Sequence, residues 1–199
     1  MKLVLASNNP GKLREIGALL APLSIELIPQ ARLGIGEADE PHATFLENAL
    51  AKARHASRAA GLPALADDSG LCVDALGGEP GVHSSYYAGR EGGREVRDAR
   101  NNEKVLLNVR QSRNAYYCCV MVMLRHPEDP RPLVAEGIWR GEIARAPRGT
   151  NGFGYDALFL LPGRGLTAAE LEPAEKNRIS HRAQALARLL ELLNGSRRP

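Results

Sequence analysis

The chain has few cysteines and few aromatic residues, and it has no long apolar run. Its three cysteines are Cys72, Cys118 and Cys119. An odd number, with two of them adjacent in an apolar run, argues against a disulfide framework and favours a reducing compartment. No cysteine or histidine spacing matches a zinc site, and no stretch approaches the roughly 18 apolar residues of a membrane helix. The apolar run at 2–6 is too short for a signal peptide, so we expect a cytoplasmic protein that does not contact membranes.

The chain also lacks a strong excess of charge of either sign. Lysine and arginine number 26 against 23 acidic residues, which gives a net charge of +3. The arginines are scattered and residues 37–40 are mostly acidic, so there is no basic stripe of the kind that binds nucleic acid. A mildly basic chain suits an anionic small molecule instead. Its 199 residues, 44% of them hydrophobic, are enough for one globular domain with a sizeable core.

Hydrophobic periodicity alternates between strand and helix along the chain, and it predicts a mixed α/β domain with some antiparallel pairing. Thr44 and Glu47 form a capping-box pattern at the start of a helix that ends before Gly61. The Gly/Pro-rich segment 141–152 is the candidate boundary between two lobes. Strands are predicted at 2–6, 24–29, 64–66, 71–75, 116–124, 133–140 and 156–161, helices from 10, 44, 95 and 180, and a second capping box at 167–170.

The most informative motif is Ala66-Asp67-Asp68-Ser69-Gly70, which lies between two apolar stretches. Two adjacent carboxylates are costly there unless a cation or hydrogen-bond donors compensate them. Because successive side chains of a strand point to opposite faces, Asp67 and Asp68 cannot both face the core. One of them can therefore hold a hard cation such as Mg²⁺. The same residues also suit a hairpin turn, and the motif alone does not separate these alternatives.

A second candidate site lies where the first strand meets the first helix, in Ser7, Asn8, Asn9, Pro10, Gly11 and Lys12. A strand-to-helix turn aims free backbone N–H groups and the positive end of the helix dipole at a ligand, which suits phosphate. Lys12 adds a positive charge, and the serine and asparagine side chains add donors. The segment is not a P-loop, which needs glycine at Ala6 and Ser or Thr at Leu13. A capped turn with an exposed lysine is the alternative.

The helix that begins near Thr44 contributes a third set of polar residues. Asn48 and Lys52 are four residues apart and therefore share one face of it. Glu40 precedes the helix by a few residues and can reach the same site as a second metal ligand. A solvated charged face and an exposed acidic loop are the alternatives for these residues.

Two C-terminal segments have chemistry that suits a flat, hydrogen-bonding ligand. In Gly152-Phe153-Gly154-Tyr155-Asp156, glycines flank an aromatic ring on which a base can stack, and Asp156 can accept hydrogen bonds from ring N–H groups. His181 and Arg182 are predicted at a helix N-terminus, where positive charge is unfavourable, and this conflict suggests that they serve a ligand. The planar donors of arginine suit purine carbonyl and ring-nitrogen acceptors. A β-turn with a core phenylalanine and a structural histidine are the alternatives.

Together, six motifs in this order resemble those of the inosine triphosphate pyrophosphatase family, whose members hydrolyse non-standard purine nucleoside triphosphates. They are S-x-N-x-x-K at 7–12, T-F-x-E-N-A at 44–49, A-D-D-S-G-L at 66–71, G-F-G-Y-D at 152–156, E-K-N at 175–177 and S-H-R at 180–182. The resemblance extends from Leu5 to about Leu190. It implies an elongated mixed sheet with flanking helices, folded as one domain of two lobes around a central cleft, and assembly as a homodimer.

The resemblance also implies roles for particular residues. Asp68 would be the catalytic acceptor and a Mg²⁺ ligand, with Glu40 as a second metal contact. The triphosphate would be held by Ser7, Asn8, Asn9, Pro10, Gly11 and Lys12, with Lys52 nearby and Ser69 as a further substrate contact. The base and sugar would be enclosed by Phe153, Gly154, Tyr155, Asp156, Lys176, His181 and Arg182.

This chain departs from the family pattern in two places. The family usually reads E-T-G-x-T-F where this chain has E-P-H-A-T-F at 40–45, so the backbone near Glu40 is expected to differ. It also tends to read S-A-R-Y where this chain has S-S-Y-Y at 84–87, so Tyr86 replaces an arginine. The resemblance predicts Mg²⁺-dependent hydrolysis of ITP, dITP or XTP to the monophosphate and pyrophosphate. A pyrophosphatase for modified pyrimidine triphosphates and a nucleotide-binding regulator without turnover are the alternatives.

Overall fold

The computed structural model describes residues 2–23 and 25–195. Within them the strands are β1 (Lys2–Leu5), β2 (Glu26–Pro29), β3 (Ala64–Val73), β4 (Asn114–Leu124), β5 (Leu133–Ile143), β6 (Phe159–Leu161) and β7 (Leu166–Thr167). The helices are α1 (Pro10–Leu20), α2 (Phe45–Ala60), α3 (Arg94–Asn108), α4 (Pro173–Ile179) and α5 (His181–Gly195). The strands form one sheet in the order β2-β1-β3-β4-β5-β6-β7. Since β1 pairs in parallel with β2 and β3 while β6 pairs antiparallel with β5 and β7, the predicted mixed α/β class is confirmed.

The chain divides into two compact units. Unit 1 takes its described residues from Met1–Asp68, Cys119–Gly137 and His181–Pro199, and unit 2 consists of Ser69–Cys118 and Ile138–Ser180. The predicted boundary at 141–152 is therefore wrong, because that segment lies wholly within unit 2. Three of the four boundaries fall inside β3, β4 and β5, and the fourth separates α4 from α5. Because three of the boundaries lie within continuous strands, no linker segment separates the units there, and a search for a Gly/Pro-rich linker could not find them.

The two units have cores of different composition. The core of unit 1 is mainly aliphatic, with Leu3 and Leu5 of β1 packed with Ile16 of α1 and Leu186 of α5. The core of unit 2 contains a cluster of aromatic rings, in which the centroid of Phe159 lies 4.6 Å from Tyr117 and 5.1 Å from Trp139. All three cysteines are buried thiols. None of the helices in the described part of the chain is both long and apolar enough to cross a membrane.

Several predicted elements differ from the observed ones. The short strands predicted at 64–66 and 71–75 are one continuous strand, β3, because the two aspartates between them are paired with cations. Strand β6 is shorter than predicted, since residue 156 lies in the turn before it. The capping box at 167–170 is present but caps a single 3₁₀ turn, and α4 begins separately at Pro173. Residue 24 of the predicted second strand lies outside the described residues, and β2 begins at Glu26.

Candidate functional site

The acidic pair lies inside β3, so the alternative of a hairpin turn is wrong. Asp67 and Asp68 are 1% and 4% exposed, respectively. Because neighbouring residues of a strand point to opposite faces, the two carboxylates have different partners. Asp67 contacts Lys12 of α1 and Arg182 of α5, whereas Asp68 contacts residues of α2. The two aspartates are therefore set in separate electrostatic environments by their positions on the strand.

Asp67 is surrounded by positive charge. Its Oδ1 is 3.0 Å from Lys12 Nζ, and its Oδ2 accepts hydrogen bonds from Nε and Nη2 of Arg182 at 3.2 and 3.0 Å. Burial alone would raise the pKa of Asp67, but Lys12 and Arg182 outweigh it and hold that pKa well below the ordinary value. The remaining Nη1 of Arg182 donates to Glu15. Asp67 is consequently a fixed anion that anchors two cations.

The pKa of Asp68 is shifted in the opposite direction from that of Asp67. The Oδ1 of Asp68 accepts a hydrogen bond from Lys52 Nζ at 2.7 Å, and its Oδ2 accepts one from Asn48 Nδ2 at 3.4 Å. Burial nevertheless dominates and raises the pKa of Asp68 above the ordinary value, although Lys52 opposes it. A raised pKa makes the carboxylate a better proton acceptor. Of the two aspartates, Asp68 is thus the one suited to act as a general base.

Glu40 and Asp68 share the ammonium group of Lys52, with Glu40 Oε1 3.4 Å from Nζ. Burial would lower the pKa of Lys52, but the nearby carboxylates outweigh it and raise that pKa. Asn48 ties the adjacent segment to α2, because its side chain accepts from His42 N at 3.1 Å and donates to His42 O at 3.2 Å. Glu40 therefore lies next to Lys52, although Pro41 and His42 depart from the family pattern at this point.

The chemistry of this donor set fits Mg²⁺. In residues 2–23 and 25–195 there is no group of three or more His, Cys, Asp or Glu side chains that could hold a metal ion. However, Mg²⁺ in nucleotide enzymes commonly uses one or two carboxylates and completes its coordination with water and substrate phosphates. Glu40 and Asp68 already converge on one cation, the Lys52 ammonium. These two carboxylates can therefore hold Mg²⁺ in that form.

The turn before α1 is organised by Asn9, which caps the helix. Asn9 Oδ1 accepts hydrogen bonds from the backbone N–H groups of Gly11 at 2.9 Å and Lys12 at 3.2 Å. Pro10, at the first position, has no N–H. The expectation that these N–H groups are free for phosphate is therefore wrong. What this turn offers a phosphate is chiefly the Lys12 side chain, together with the side chains of Ser7 and Asn8.

In unit 2, Asp156 organises the segment 152–156. Its Oδ2 accepts hydrogen bonds from Phe153 N at 2.8 Å and from Lys176 Nζ at 2.6 Å, and its Oδ1 accepts one from Tyr117 Oη at 3.4 Å. Gly152 has φ +77° and a Cβ at this position would lie 2.0 Å from Asp156 Oδ2, so the turn requires glycine. The observed contacts make Asp156 a structural carboxylate, and its hydrogen bond to a base stays a prediction.

Residues of α3 that the sequence analysis missed hold the same segment. Asp98 Oδ2 accepts a hydrogen bond from Gly154 N at 3.1 Å, and Asn102 Nδ2 donates to Gly154 O at 2.8 Å. Tyr155 Oη donates to Ser84 O at 2.8 Å. The available signal was the spacing of four residues between Asp98 and Asn102, which places both on one face of a polar helix.

The model of the Ham1 family matches residues 3–192. The chain belongs to the Ham1 family. A dITP/XTP pyrophosphatase from Ralstonia nicotianae is 62% identical to it over 194 residues, which cover 96% of each chain. One from Burkholderia pseudomallei is 61% identical over 96% of this chain and 93% of its own. The solved structure of a HAM1 protein from Coxiella burnetii superposes with a TM-score of 0.88, at 48% identity over 98% of this chain and 99% of that one.

The predicted site residues of this Ham1-family chain fall into two groups. Unit 1 contains Ser7 to Lys12, Glu40, Lys52 and Asp68, with His181 and Arg182 at the start of α5. Unit 2 contains Ser69, Phe153 to Asp156 and Lys176.

Arg182 has a structural reason for its position at a helix N-terminus. Its guanidinium is 2% exposed and is compensated by Asp67 and Glu15, so the conflict with the helix dipole does not require a ligand. A contact between Arg182 and a base stays a prediction, as does the role of His181, which is 4% exposed.

Proposed function

We propose that this protein hydrolyses the non-standard purine nucleoside triphosphates ITP, dITP and XTP to their monophosphates and pyrophosphate. The observation that carries the proposal is the environment of Asp68, a buried carboxylate with a raised pKa that lies 2.7 Å from Lys52 Nζ. A carboxylate of this kind is suited to take a proton from water at neutral pH. The names of relatives at 61–62% identity, dITP/XTP pyrophosphatases, supply the substrate class and the bond that is cleaved.

In this reaction the oxygen of water forms a bond to the α-phosphorus. The bond between that phosphorus and the oxygen leading to the β-phosphate breaks, and pyrophosphate leaves with the electron pair. Asp68 accepts the proton of the attacking water. Lys52 orients the Asp68 carboxylate, and Lys12 offsets negative charge on the leaving pyrophosphate. Bound Mg²⁺, held by Asp68 and Glu40, would neutralise charge on the phosphate oxygens.

The predicted substrate-binding residues would have separate roles. The triphosphate would be held by the segment Ser7 to Lys12, through the side chains of Ser7, Asn8 and Lys12, and by Lys52, and Ser69 would be a further contact. The base and sugar would contact Phe153 to Asp156, Lys176, His181 and Arg182. The base stacks on Phe153, because a half-buried ring flanked by glycines offers its face to a flat ligand. The enzyme would act as a homodimer in the cytoplasm, where its three buried thiols stay reduced.

The experiment is hydrolysis in H₂¹⁸O with ITP, XTP, dGTP, ATP and dUTP, with and without Mg²⁺, followed by anion-exchange chromatography and mass spectrometry. We expect IMP and XMP with pyrophosphate, only in the presence of metal, and with ¹⁸O in the monophosphate. Label in the pyrophosphate would mean attack at the β-phosphorus and would overturn the proposed reaction. Preference for dUTP would indicate a pyrimidine enzyme, and absence of turnover by folded protein would indicate a nucleotide-binding regulator.

A further inference from the structure

A polar stripe of α3 packs against the segment that carries Phe153. Arg94, Asp98 and Asn102 follow one another at intervals of four residues and therefore share one face of the helix. Asp98 and Asn102 bind the N–H and the carbonyl of Gly154, at 3.1 and 2.8 Å. Helix α3 thus fixes both backbone hydrogen-bonding groups of Gly154, the residue after Phe153. This contact places Arg94, the third residue of the stripe, next to the Phe153 ring.

Arg94 lies over the ring of Phe153. Its Cζ is 4.9 Å from the ring centroid, within the range of a cation–π contact. Lys176 Nζ is 5.0 Å from the same centroid, but it is buried and held by Asp156 at 2.6 Å. The Arg94 side chain is 33% exposed, and its ion pair with Asp98 spans 3.7 Å. Arg94 is therefore the cation at this ring that can move at little cost, because exposed and long ion pairs contribute little.

We propose that Arg94 is a substrate-binding residue that stacks on the purine and holds it against Phe153. This inference rests on the proposed function. A base between the ring and the guanidinium needs about 7 Å, since van der Waals contact takes about 3.5 Å on each face. The guanidinium, now 4.9 Å from the centroid, would move outward by about 2 Å and release its long ion pair with Asp98. The planar guanidinium of arginine suits this role better than the ammonium of lysine does.

Stacking depends on the face of the base and not on its edges, so Arg94 would strengthen binding of every purine substrate alike. This separates it from residues that select a base by hydrogen bonds. It also predicts an effect on KM and on the affinity for the nucleoside monophosphate, but none on binding of pyrophosphate, which has no base.

The test compares Arg94→Ala with wild type by calorimetric binding of IMP and of pyrophosphate, and by steady-state kinetics with ITP and XTP. We expect IMP binding to weaken about 3- to 30-fold, with a matching rise in KM for both substrates and an unchanged kcat. Arg94→Lys should recover only part of the affinity. The matched control is Arg97→Ala on the same helix, whose guanidinium donates to Gly92 O at 2.9 Å; it should leave both measurements unchanged.

Wild-type affinity for IMP in Arg94→Ala would overturn the inference, as would an equal loss of IMP and pyrophosphate binding, which would indicate a general effect of charge. A fall in kcat at constant KM would also contradict it. Failure of the proposed function is distinguishable, because wild-type protein would then fail to hydrolyse ITP, whereas the inference on Arg94 is judged by the difference between wild type and variant. Thermal unfolding of each variant establishes that it is folded, and Arg94→Gln serves as a second variant if the alanine variant is not.

Discussion

The two units use different physical means to build their candidate sites. Unit 1 contains buried ion pairs, in which the carboxylates of Asp67 and Asp68 contact neighbouring lysine or arginine side chains. Unit 2 places its Asp156–Lys176 ion pair at the edge of an aromatic cluster and uses it to hold a turn around Phe153. Fixed charges suit phosphates and protons, whereas ring faces suit a base. Under the proposed function, the chemical step and the recognition of the base would therefore require different environments, buried ion pairs for the first and a half-buried ring for the second.

Within unit 1, Asp67 and Asp68 are adjacent on one strand, and yet their pKa values are shifted in opposite directions. The pKa of Asp67 is lowered by Lys12 and Arg182 in spite of burial, and the pKa of Asp68 is raised by burial in spite of Lys52. A lowered pKa means that the fold favours the ionised form, and a raised pKa means that it favours the neutral form. The ionised form of Asp67 therefore stabilises the fold. The ionised form of Asp68 destabilises it, and the same burial that causes this makes Asp68 a stronger base.

Replacing Asp68 by asparagine should have the largest effect on activity. Asp68→Asn removes the proposed proton acceptor while keeping the shape of the side chain, so kcat for ITP should fall about 10²- to 10⁴-fold. The free energy of unfolding should stay the same or increase, because the fold already favours the neutral form of this group. Steady-state kinetics and urea unfolding measure the two quantities, and wild-type turnover would refute the assignment of the base.

Replacing Asp67 by asparagine should affect mainly stability. Asp67→Asn leaves Lys12 and Arg182 without their shared anion, which should cost about 3–5 kcal/mol of unfolding free energy. Since the folded-state pKa of Asp67 lies below its unfolded value, the wild-type contribution is complete above about pH 4 and is lost as the pH falls further. Urea unfolding between pH 3 and 7 checks this, and an equal pH slope in variant and wild type would contradict it.

A backbone change in unit 2 tests whether the turn around Phe153 depends on the position of the Asp156 carboxylate. In Gly152→Ala the new Cβ would lie 2.0 Å from Asp156 Oδ2 at a φ of +77°, so the carboxylate must leave Lys176 and Phe153 N. We expect a loss of about 2–3 kcal/mol and a higher KM for ITP. Gly165→Ala is the matched control, because φ is +67° there with nothing within 4 Å of the Cβ. It should cost only about 1 kcal/mol; equal losses in thermal unfolding would show that no displacement of Asp156 occurs.

A carboxylate outside the candidate site should have the smallest effect. Asp129, in the turn between β4 and β5, accepts hydrogen bonds from Arg125 Nε at 2.8 Å and Arg131 N at 3.0 Å. The hydrogen bonds from Arg125 lower the pKa of Asp129, so its contribution is present above the unfolded pKa and is lost as the pH falls. Asp129→Asn should cost about 1 kcal/mol at pH 7 with unchanged kcat. A change in ITP turnover would show that this turn is coupled to the reaction.

Features that depend on neighbouring residues could be predicted from the sequence. Thr44 caps α2 as predicted, with its hydroxyl accepting from Glu47 N at 3.2 Å, and Pro10 begins α1. Such elements depend on interactions within one turn of helix, which residue types alone determine. The residues of the candidate site could likewise be identified from the sequence, because their motifs resemble those of a known family.

Features that depend on distant partners could not be predicted. Asp67 and Arg182 are 115 residues apart, and without their pairing the aspartates suggested a break in the strand. Asp98 lies 56 residues from Gly154, to which it is hydrogen bonded. Local sequence does not identify either partner: the spacing of Asp98 and Asn102 places both on one face of α3 but does not indicate Gly154. The unit boundaries inside β3, β4 and β5 were missed for the same reason.

Titration of the two carboxyl groups of β3 tests the different roles of Asp67 and Asp68 most directly. ¹³C NMR of protein labelled at aspartate Cγ, without Mg²⁺ and with resonances assigned from Asp67→Asn and Asp68→Asn, gives both pKa values in one experiment. We predict that Asp68 titrates above the ordinary aspartate pKa of about 4, while Asp67 stays ionised until the pH is well below it. Titration of both groups near the ordinary value, or in the reverse order, would contradict the division of roles between anchor and base.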